Sequence, residues 1–201
     1  MAPVNSGMAS GLDFDGNGKV VTAYPSSGVP GVEAAAYSGD CWGPGAYPGE
    51  HGMALLADER LTIVVDGVRT FRLMPWEYMP ASLLPRSEDP GGLSEAAIRV
   101  LRLATASHWD VPVRLPDGSL RRVLCGQPGA TLGKFADERR TRRWHDEVRF
   151  WADYAEGEGY LVDDKRVGGG ADLDAPFVLL GNLGARNTQV GSEQLGGAGS
   201  K

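Results

Sequence analysis

Runs of alternating and β-branched apolar residues predict two β-hairpins in the middle of the chain. The first covers residues 61–73 and turns at Asp66-Gly67, a pair that supplies the positive φ angles of a tight two-residue turn. The second covers residues 111–125 and turns at residues 116–119, Pro-Asp-Gly-Ser. That composition predicts a type I turn with Gly118 in a left-handed position. The pattern therefore predicts two antiparallel pairs of strands.

Apolar positions between the two hairpins recur at the spacing of an amphipathic helix. The spacing predicts a helix from Leu93 to about Thr105, with Ser94 as a candidate N-cap. The predicted buried stripe consists of Leu93, Ala97, Val100, Leu101 and Ala104, with Arg99 and Arg102 on the outer side. The helix would brace the two hairpins.

The pattern is weaker in the rest of the chain, where it predicts short strands and loops. Short strands are predicted at Lys19–Tyr24 and Pro176–Leu180. Residues 74–92 contain four prolines, so we expect an irregular crossing segment there. Its candidate anchors are Trp76, Tyr78 and Met79. Residues 156–175 are expected to form a loop.

Residues 144–154 fit two patterns. A helix would align Trp144, Val148, Trp151 and Ala155, whereas a strand would align Val148, Phe150, Ala152 and Tyr154. Periodicity does not decide between a helix and a strand in so short a run.

The composition favours a β-rich fold with many turns. The 201 residues include 29 glycines and 13 prolines, both of which interrupt helices. Residues 28–52 are expected to form one long ordered loop, because Tyr37, Trp42 and Tyr47 would be unfavourable in water. The predicted organisation is a glycine-rich segment (1–58), a β-rich domain (59–185) and a flexible or partner-ordered tail (186–201).

Charge and hydropathy exclude several classes of protein. A net charge of −6 argues against a nucleic-acid binder, which needs a basic surface for the phosphates. The sequence has no apolar run long enough for a membrane span and no signal-peptide pattern, so neither is expected. Cys41 and Cys125 are expected to be reduced, partly buried thiols, although the sequence leaves a disulfide open.

A candidate cation loop begins at Asp13. Asp13, Asp15 and Asn17, followed by Gly18, have the oxygen-donor spacing of the first half of a calcium loop. Position 12 of that loop is Tyr24, where a bidentate glutamate would be required. The alternative is a turn stabilised by aspartate and asparagine side chains, so we assign no metal ligand.

Residues 129–135 are only weakly similar to a phosphate-binding loop. The spacing is one residue short, and Phe135 stands where magnesium would require a serine or threonine. No nucleotide or other cofactor is therefore predicted.

The three histidines are His51, His108 and His145. His145 is followed by Asp146 and Glu147, but adjacent residues of a helix or strand point in different directions. The sequence contains neither a nucleophile elbow nor a zinc-protease motif, so we assign no catalytic residue and do not expect an enzyme. Cys125 is explained as a small apolar strand residue.

The basic cluster at residues 139–143 contains four arginines. Acidic residues flank it on both sides, which offsets the charge that nucleic acid would require. Arginine is enriched at protein interfaces, so we expect an intersubunit contact or a solvated charged strand.

The order of these elements resembles the N-terminal belt domain of distal tail proteins from long-tailed bacteriophages. The resemblance rests on the glycine-rich stretch 43–52, a hairpin at 60–73, a helix at 93–106 with a Pro-Asp-Gly hairpin at 111–124, a strand at 148–153, and the Gly-Asn-x-Gly turn in residues 181–185. It favours a strand for residues 148–153. It covers about residues 40–185.

The resemblance implies a mainly β (α+β) fold, a β-sandwich or barrel-like domain with projecting hairpins, one bracing helix and long glycine-rich loops. It also implies a subunit of a hexameric ring that joins the tail tube to the baseplate of the virion, made in the host cytoplasm, without catalytic residues. Arg114, Arg121 and Arg122 would then contact acidic neighbours. The alternatives are a major tail tube subunit, a calcium-dependent binding module and a hydrolase built around His145 or His108.

Overall fold

The computed structural model describes residues 4–24, 31–89, 93–129, 138–171 and 176–183. Within these ranges the chain forms one five-stranded mixed sheet and three α-helices. The strands are β1 (Thr62–Ile63), β2 (Arg69–Thr70), β3 (His108–Arg114), β4 (Leu120–Gly126) and β5 (Phe177–Leu180), and the helices are α1 (Val32–Gly39), α2 (Glu95–Val100) and α3 (Glu138–Ala155). This content agrees with the predicted α+β class. The sandwich or barrel arrangement stays a prediction.

The second predicted hairpin is confirmed. Strands β3 and β4 pair antiparallel from His108 opposite Gly126 to Arg114 opposite Leu120. The turn between them places Gly118 at φ +83°, which is the left-handed conformation that the sequence required. The β3–β4 hairpin, which forms the centre of the sheet, is therefore encoded locally.

The first predicted hairpin is wrong. Strands β1 and β2 do not pair with each other; both pair with β3, with Ile63 opposite Val113 and Arg69 opposite Asp110. Six residue steps separate Ile63 from Arg69, but only three separate Val113 from Asp110. The three extra residues form a 3₁₀ turn at Val65–Gly67. Segment 62–70 is thus one interrupted strand rather than two strands joined by a tight turn.

Pro112 of β3 explains the interruption. Its carbonyl accepts a hydrogen bond from the Val64 N–H at 2.9 Å, so its backbone faces the β1 side of the sheet. Proline has no N–H to return, and the ladder cannot continue past it. The turn packs on the proline ring, since a Cβ on Gly67 would lie 3.0 Å from Pro112 Cγ.

Helix α2 is shorter than predicted because its C-terminal part pairs with another segment. Ser94 caps the helix as predicted, with its hydroxyl accepting from the Ala97 N–H at 3.2 Å. The chain leaves the helix after Val100, and the Leu101 carbonyl accepts from the Trp76 N–H at 2.8 Å. The predicted stripe is buried except for Val100, which is 42% exposed.

The crossing segment between β2 and α2 is anchored by two of its three predicted residues. Trp76 and Met79 are fully buried, whereas Tyr78 is about half exposed. Trp76 to Tyr78 form a short 3₁₀ helix. The prediction is therefore wrong for Tyr78.

Residues 144–154 belong to helix α3, so the strand favoured by the resemblance is wrong. The buried side chains of α3 are Asp146, Glu147, Phe150, Trp151 and Tyr154. They recur at helical spacing and form one face. Two of them are acidic, and for this reason the helical stripe does not stand out in a purely hydrophobic pattern.

The N-terminal region also differs from the prediction. Residues 19–24 form no strand; Val21 instead donates its N–H to the Asp40 carboxylate at 2.7 Å. The predicted loop at 28–52 contains helix α1, whose alanines favour helix. Tyr37 is buried at the end of α1 and donates its hydroxyl to the Gly7 carbonyl at 2.6 Å. Residues 25–30 lie outside the described ranges.

The core lies on both faces of the sheet. On one face Phe150 of α3 packs edge-on against Phe71 with ring centroids 5.1 Å apart, and Leu124 and Trp76 join the same cluster. The other face carries Trp109, Val111 and Val113, which residues 53–61 partly cover. Phe14 of the N-terminal segment is part of the first cluster.

The predicted last strand is present as β5. Strand β5 is parallel to β4, so the connection through α3 is a crossover. Residues 156–171 form turns and loop, as predicted for this part of 156–175. The predicted tail lies outside the described residues. None of the helices in the described ranges is both long and apolar enough to cross a membrane.

Candidate functional site

Three carboxylates come together beside the N-terminal end of the chain. Asp13, Asp15 and Asp40 each offer an oxygen, and these oxygens lie within 4.8 Å of one another. Asp40 is fully buried, whereas Asp13 and Asp15 are half-buried. Convergent carboxylate oxygens are the ligands that calcium prefers, so this cluster is the candidate cation site.

A tight loop holds the first two carboxylates. Asp13 accepts hydrogen bonds from the N–H groups of Gly16 at 2.7 Å and Gly18 at 2.8 Å. Both glycines have positive φ angles, which permit the turns. Partial burial raises the pKa of Asp13, but the backbone hydrogen bonds outweigh this effect and lower it below the usual value. The carboxylate is therefore kept ionised.

Asp40 enters the cluster from the C-terminal end of α1. Its two oxygens accept from the N–H groups of Phe14 at 2.9 Å and Val21 at 2.7 Å. Each carboxylate oxygen retains a further lone pair for a cation. Asp40 thus supplies an acidic group that position 12 of the loop, Tyr24, lacks. Sequence spacing could not find it, because 25 residues separate it from Asp15.

Asn17, the third residue singled out from the sequence, is hydrogen-bonded within the loop beside the cluster. Its side-chain oxygen accepts from the Lys19 N–H at 2.8 Å, and its amide donates to Asp15 at 2.7 Å. It therefore stiffens the loop. The structure brings Asp13 and Asp15, which the sequence singled out, together with Asp40.

A buried carboxylate, Glu147, forms a second polar centre. It accepts from the Thr105 N–H, from the Thr105 hydroxyl at 3.0 Å and from the Gly129 N–H at 2.9 Å. Complete burial raises the pKa of Glu147 to about 7, against the opposing effects of the Arg143 charge and these hydrogen bonds. Sequence reasoning missed this role because Thr105 and Glu147 are far apart in the chain.

The histidines do not assemble with these acids into a catalytic group in the described structure. His145 contacts its neighbour Asp146 at 2.9 Å, but Asp146 turns towards Trp76, and Glu147 turns towards Thr105. The two acids diverge, as predicted. His108 is buried, and burial lowers its pKa to about 3, which keeps it neutral. His51 lies exposed in the 44–51 loop.

The arginines at 139–143 point largely inward. Arg143 is held by backbone carbonyls, among them Leu103 at 2.9 Å and Trp42 at 2.9 Å. Arg139 donates to the Phe14 carbonyl, and Arg142 pairs with Asp89 at 2.9 Å. The predicted solvated or intersubunit role is therefore wrong for Arg143, which stabilises the fold internally.

The hairpin arginines also have partners within the chain. Arg122 forms an ion pair with the buried Asp110. Arg114 donates to the Gly118 carbonyl at 3.2 Å, and Arg121 donates to the Leu120 carbonyl at 2.8 Å. Contacts of these arginines with acidic neighbours stay a prediction.

A cavity of about 1200 Å³ lies beside α1 and the N-terminal part of α3. Its lining includes Ser6, Tyr47, His51, Gln127 and Arg140. The Ser6 hydroxyl is buried in its wall and has no hydrogen-bond partner among the described residues. Of the predicted phosphate-loop segment 129–135, only Gly129 is described; it lines this cavity and donates its N–H to Glu147.

The two cysteines are free thiols, as predicted. Both are buried, and burial raises the pKa of Cys41 to about 11. The Cys41 thiol also contacts the Tyr37 carbonyl at 3.2 Å. This environment keeps Cys41 protonated, which is unfavourable for a nucleophile.

Comparison with protein-family models, with curated proteins and with solved structures finds no match to this chain.

Proposed function

We propose that this protein is a self-assembling structural subunit of a bacteriophage tail, in a ring at the end of the tail tube that joins the tube to the baseplate. Its partners would be copies of itself and the neighbouring tube and baseplate proteins. Its place would be the tail of the virion. The proposal includes the sandwich or barrel-like arrangement of the resembling domains.

The observation that carries assembly is an apolar strand at the edge of the sheet. Phe177, Val178 and Leu180 of β5 are 48%, 45% and 46% exposed. An exposed edge strand of apolar residues is a surface that pairs readily with another chain. Such a surface is expected in a protein whose function is association.

The location in a phage tail is proposed from the family resemblance. Some of the sequence stretches that carry this resemblance have the expected local structure, and others do not. The Pro-Asp-Gly hairpin at β3–β4 is present, and the glycine-rich stretch 43–52 is ordered. The hairpin at 60–73 and the strand at 148–153 are replaced by an interrupted strand and by α3. Self-assembly is therefore argued from the sheet edge, and the tail location from the remaining passages.

Light scattering and negative-stain electron microscopy of the purified protein test the proposal. Closed rings are expected. Long tubes would instead favour the major tail tube subunit. A monodisperse monomer at high concentration, with neither rings nor tubes in the images, would contradict the proposal.

A calcium-dependent binding module is the second candidate. The observation that favours it is the approach of the buried Asp40 to Asp13 and Asp15. Three converging carboxylates supply part of the oxygen set that calcium needs, and waters can complete it. Calorimetric titration with calcium separates a cation site from a loop that is stabilised only by its own hydrogen bonds.

A further inference from the structure

Strand β5 has a neighbour on one side only among the described residues. It pairs with β4 in parallel, with Phe177 opposite Arg122 and Leu180 opposite Cys125. The Arg122 N–H donates to the Pro176 carbonyl at 3.1 Å. Because backbone groups alternate along a strand, the N–H and C=O groups of Phe177 and Leu179 point away from β4.

Within the described part of the chain, this edge lacks the features that usually prevent strand pairing. Residues 177–180 are Phe-Val-Leu-Leu, without a charge, a proline or a glycine. Sheet edges in soluble proteins are usually protected by lysines, prolines, bulges or a covering loop. The outer side of β5 is therefore suited to receive another strand.

The opposite edge of the sheet is covered. The Asp164 N–H donates to the outward-facing Thr70 carbonyl of β2 at 2.7 Å, and Lys165 reaches the Val68 carbonyl at 3.2 Å. Arg69 of the same strand pairs with Asp163 at 2.9 Å. The 3₁₀ turn between β1 and β2 interrupts that edge as well. A β5 strand from another copy could not add there without displacing this loop.

We infer that β5 pairs antiparallel with β5 of a second copy of the chain, about a two-fold axis. The same uncharged strand then lies on both sides of the contact, as an isologous interface requires. The two sheets become one continuous sheet, and the four outward backbone groups of each β5 gain partners. A head-to-tail contact through β5 is disfavoured, because the other edge is covered.

This inference rests on the self-assembly proposed above but not on the location in a phage tail. A two-fold contact closes with two copies, so a ring would need a second, separate interface. The strand is only four residues long, and the contact is small. We therefore expect association to depend on protein concentration.

Sedimentation velocity of the full chain over a range of concentrations tests the pairing. The variant Val178→Lys places a charge on the strand, and Phe177→Pro removes an outward N–H while leaving the bonds to β4 in place. The matched control is Val65→Lys. Val65 is 72% exposed and lies in the 3₁₀ turn between β1 and β2, at the edge of the sheet opposite β5. Circular dichroism verifies that all variants keep the wild-type fold.

Wild type and Val65→Lys are expected to dimerise alike, and both β5 variants are expected to weaken the dimer about tenfold or more, corresponding to 1.4 kcal/mol. If wild type forms larger assemblies that both β5 variants retain unchanged, self-assembly stands and the β5 pairing is overturned. A wild type that is monomeric at every concentration overturns both. Protection of the Phe177 and Leu179 amides from hydrogen exchange in such a monomer would indicate that this chain covers its own edge.

Discussion

The indole N–H of Trp76 donates to the carboxylate of Asp146 at 2.7 Å, and both residues are fully buried. The same carboxylate oxygen accepts from the Leu83 N–H at 2.7 Å. Asp146 therefore holds the proline-rich crossing segment against helix α3, although Trp76 lies 70 residues before Asp146 in the sequence. The other carboxylate oxygen of Asp146 lies 2.9 Å from Nδ1 of the adjacent His145.

Removal of this carboxylate should destabilise the protein strongly. Asp146→Ala leaves the buried Trp76 indole N–H and the part-buried Leu83 N–H without this acceptor, and an unsatisfied buried group costs about 1–3 kcal/mol. We expect the free energy of unfolding to fall by about 3 kcal/mol in urea denaturation. Asp146→Asn keeps an acceptor oxygen and should lose less. The control is Glu156→Ala at an exposed position after α3. Equal losses for Asp146→Ala and Glu156→Ala would show that the contact contributes nothing.

Two glycines should differ in their tolerance of alanine. A Cβ on Gly43 would lie 1.9 Å from the Thr105 carbonyl oxygen, so Gly43→Ala must displace backbone and is expected to cost about 3 kcal/mol. A Cβ on Gly118 meets no atom within 4 Å, and only its positive φ opposes the substitution. Gly118→Ala should therefore cost about 1–2 kcal/mol. Thermal unfolding of both variants measures which substitution lowers stability more, and a larger loss of stability for Gly118→Ala would contradict the prediction.

The elements that were predictable are those set by neighbouring residues. The β3–β4 hairpin follows from Pro-Asp-Gly-Ser between two apolar runs, and the α2 cap follows from Ser94. The predicted first hairpin does not form, although Asp66-Gly67 is a favourable turn pair. Pro112, which is distant in sequence, leaves β3 without an N–H at that point, and the paired strand is interrupted there instead.

The parts that were not predictable depend on polar groups whose partners are remote in sequence. The buried face of α3 includes Asp146 and Glu147, so hydrophobicity alone underestimates it. Asp40 belongs to the cation cluster only because α1 ends beside the loop at Asp13. Local spacing identified Asp13 and Asp15, and tertiary structure adds Asp40 to them.

Glu147 should make stability depend on pH. Burial raises its pKa from 4.5 to about 7, so the folded chain holds the proton more tightly than the unfolded chain. Its contribution is fully present below pH 4.5 and is lost as the pH rises to 7. At about 1.36 kcal/mol per pH unit, the loss is about 3 kcal/mol.

The measurement is the difference in unfolding free energy between wild type and Glu147→Gln at several pH values. Burial lowers the pKa of His108, so its contribution is lost as the pH falls and opposes that of Glu147. The His108 contribution is present in both wild type and Glu147→Gln, so it cancels when their unfolding free energies are subtracted. The difference should fall between pH 4.5 and 7. A difference that is constant with pH would mean that Glu147 ionises as in water.

Calcium should bind at Asp13, Asp15 and Asp40 if the second candidate function holds. We expect calorimetric titration to give a dissociation constant on the order of 0.1 mM, because the site has three carboxylates and no bidentate glutamate in the loop. Asp15→Asn is the sharpest variant, since Asn17 is the hydrogen-bond donor to the Asp15 carboxylate among the described residues and the substitution preserves the size of the side chain. It should abolish the heat of binding and the rise in melting temperature with calcium. Asp58→Asn, at an exposed ion pair with Arg60, should leave both unchanged. Absence of calcium uptake by the wild type would leave Asp40 as a residue that only orders the loop through the N–H groups of Phe14 and Val21.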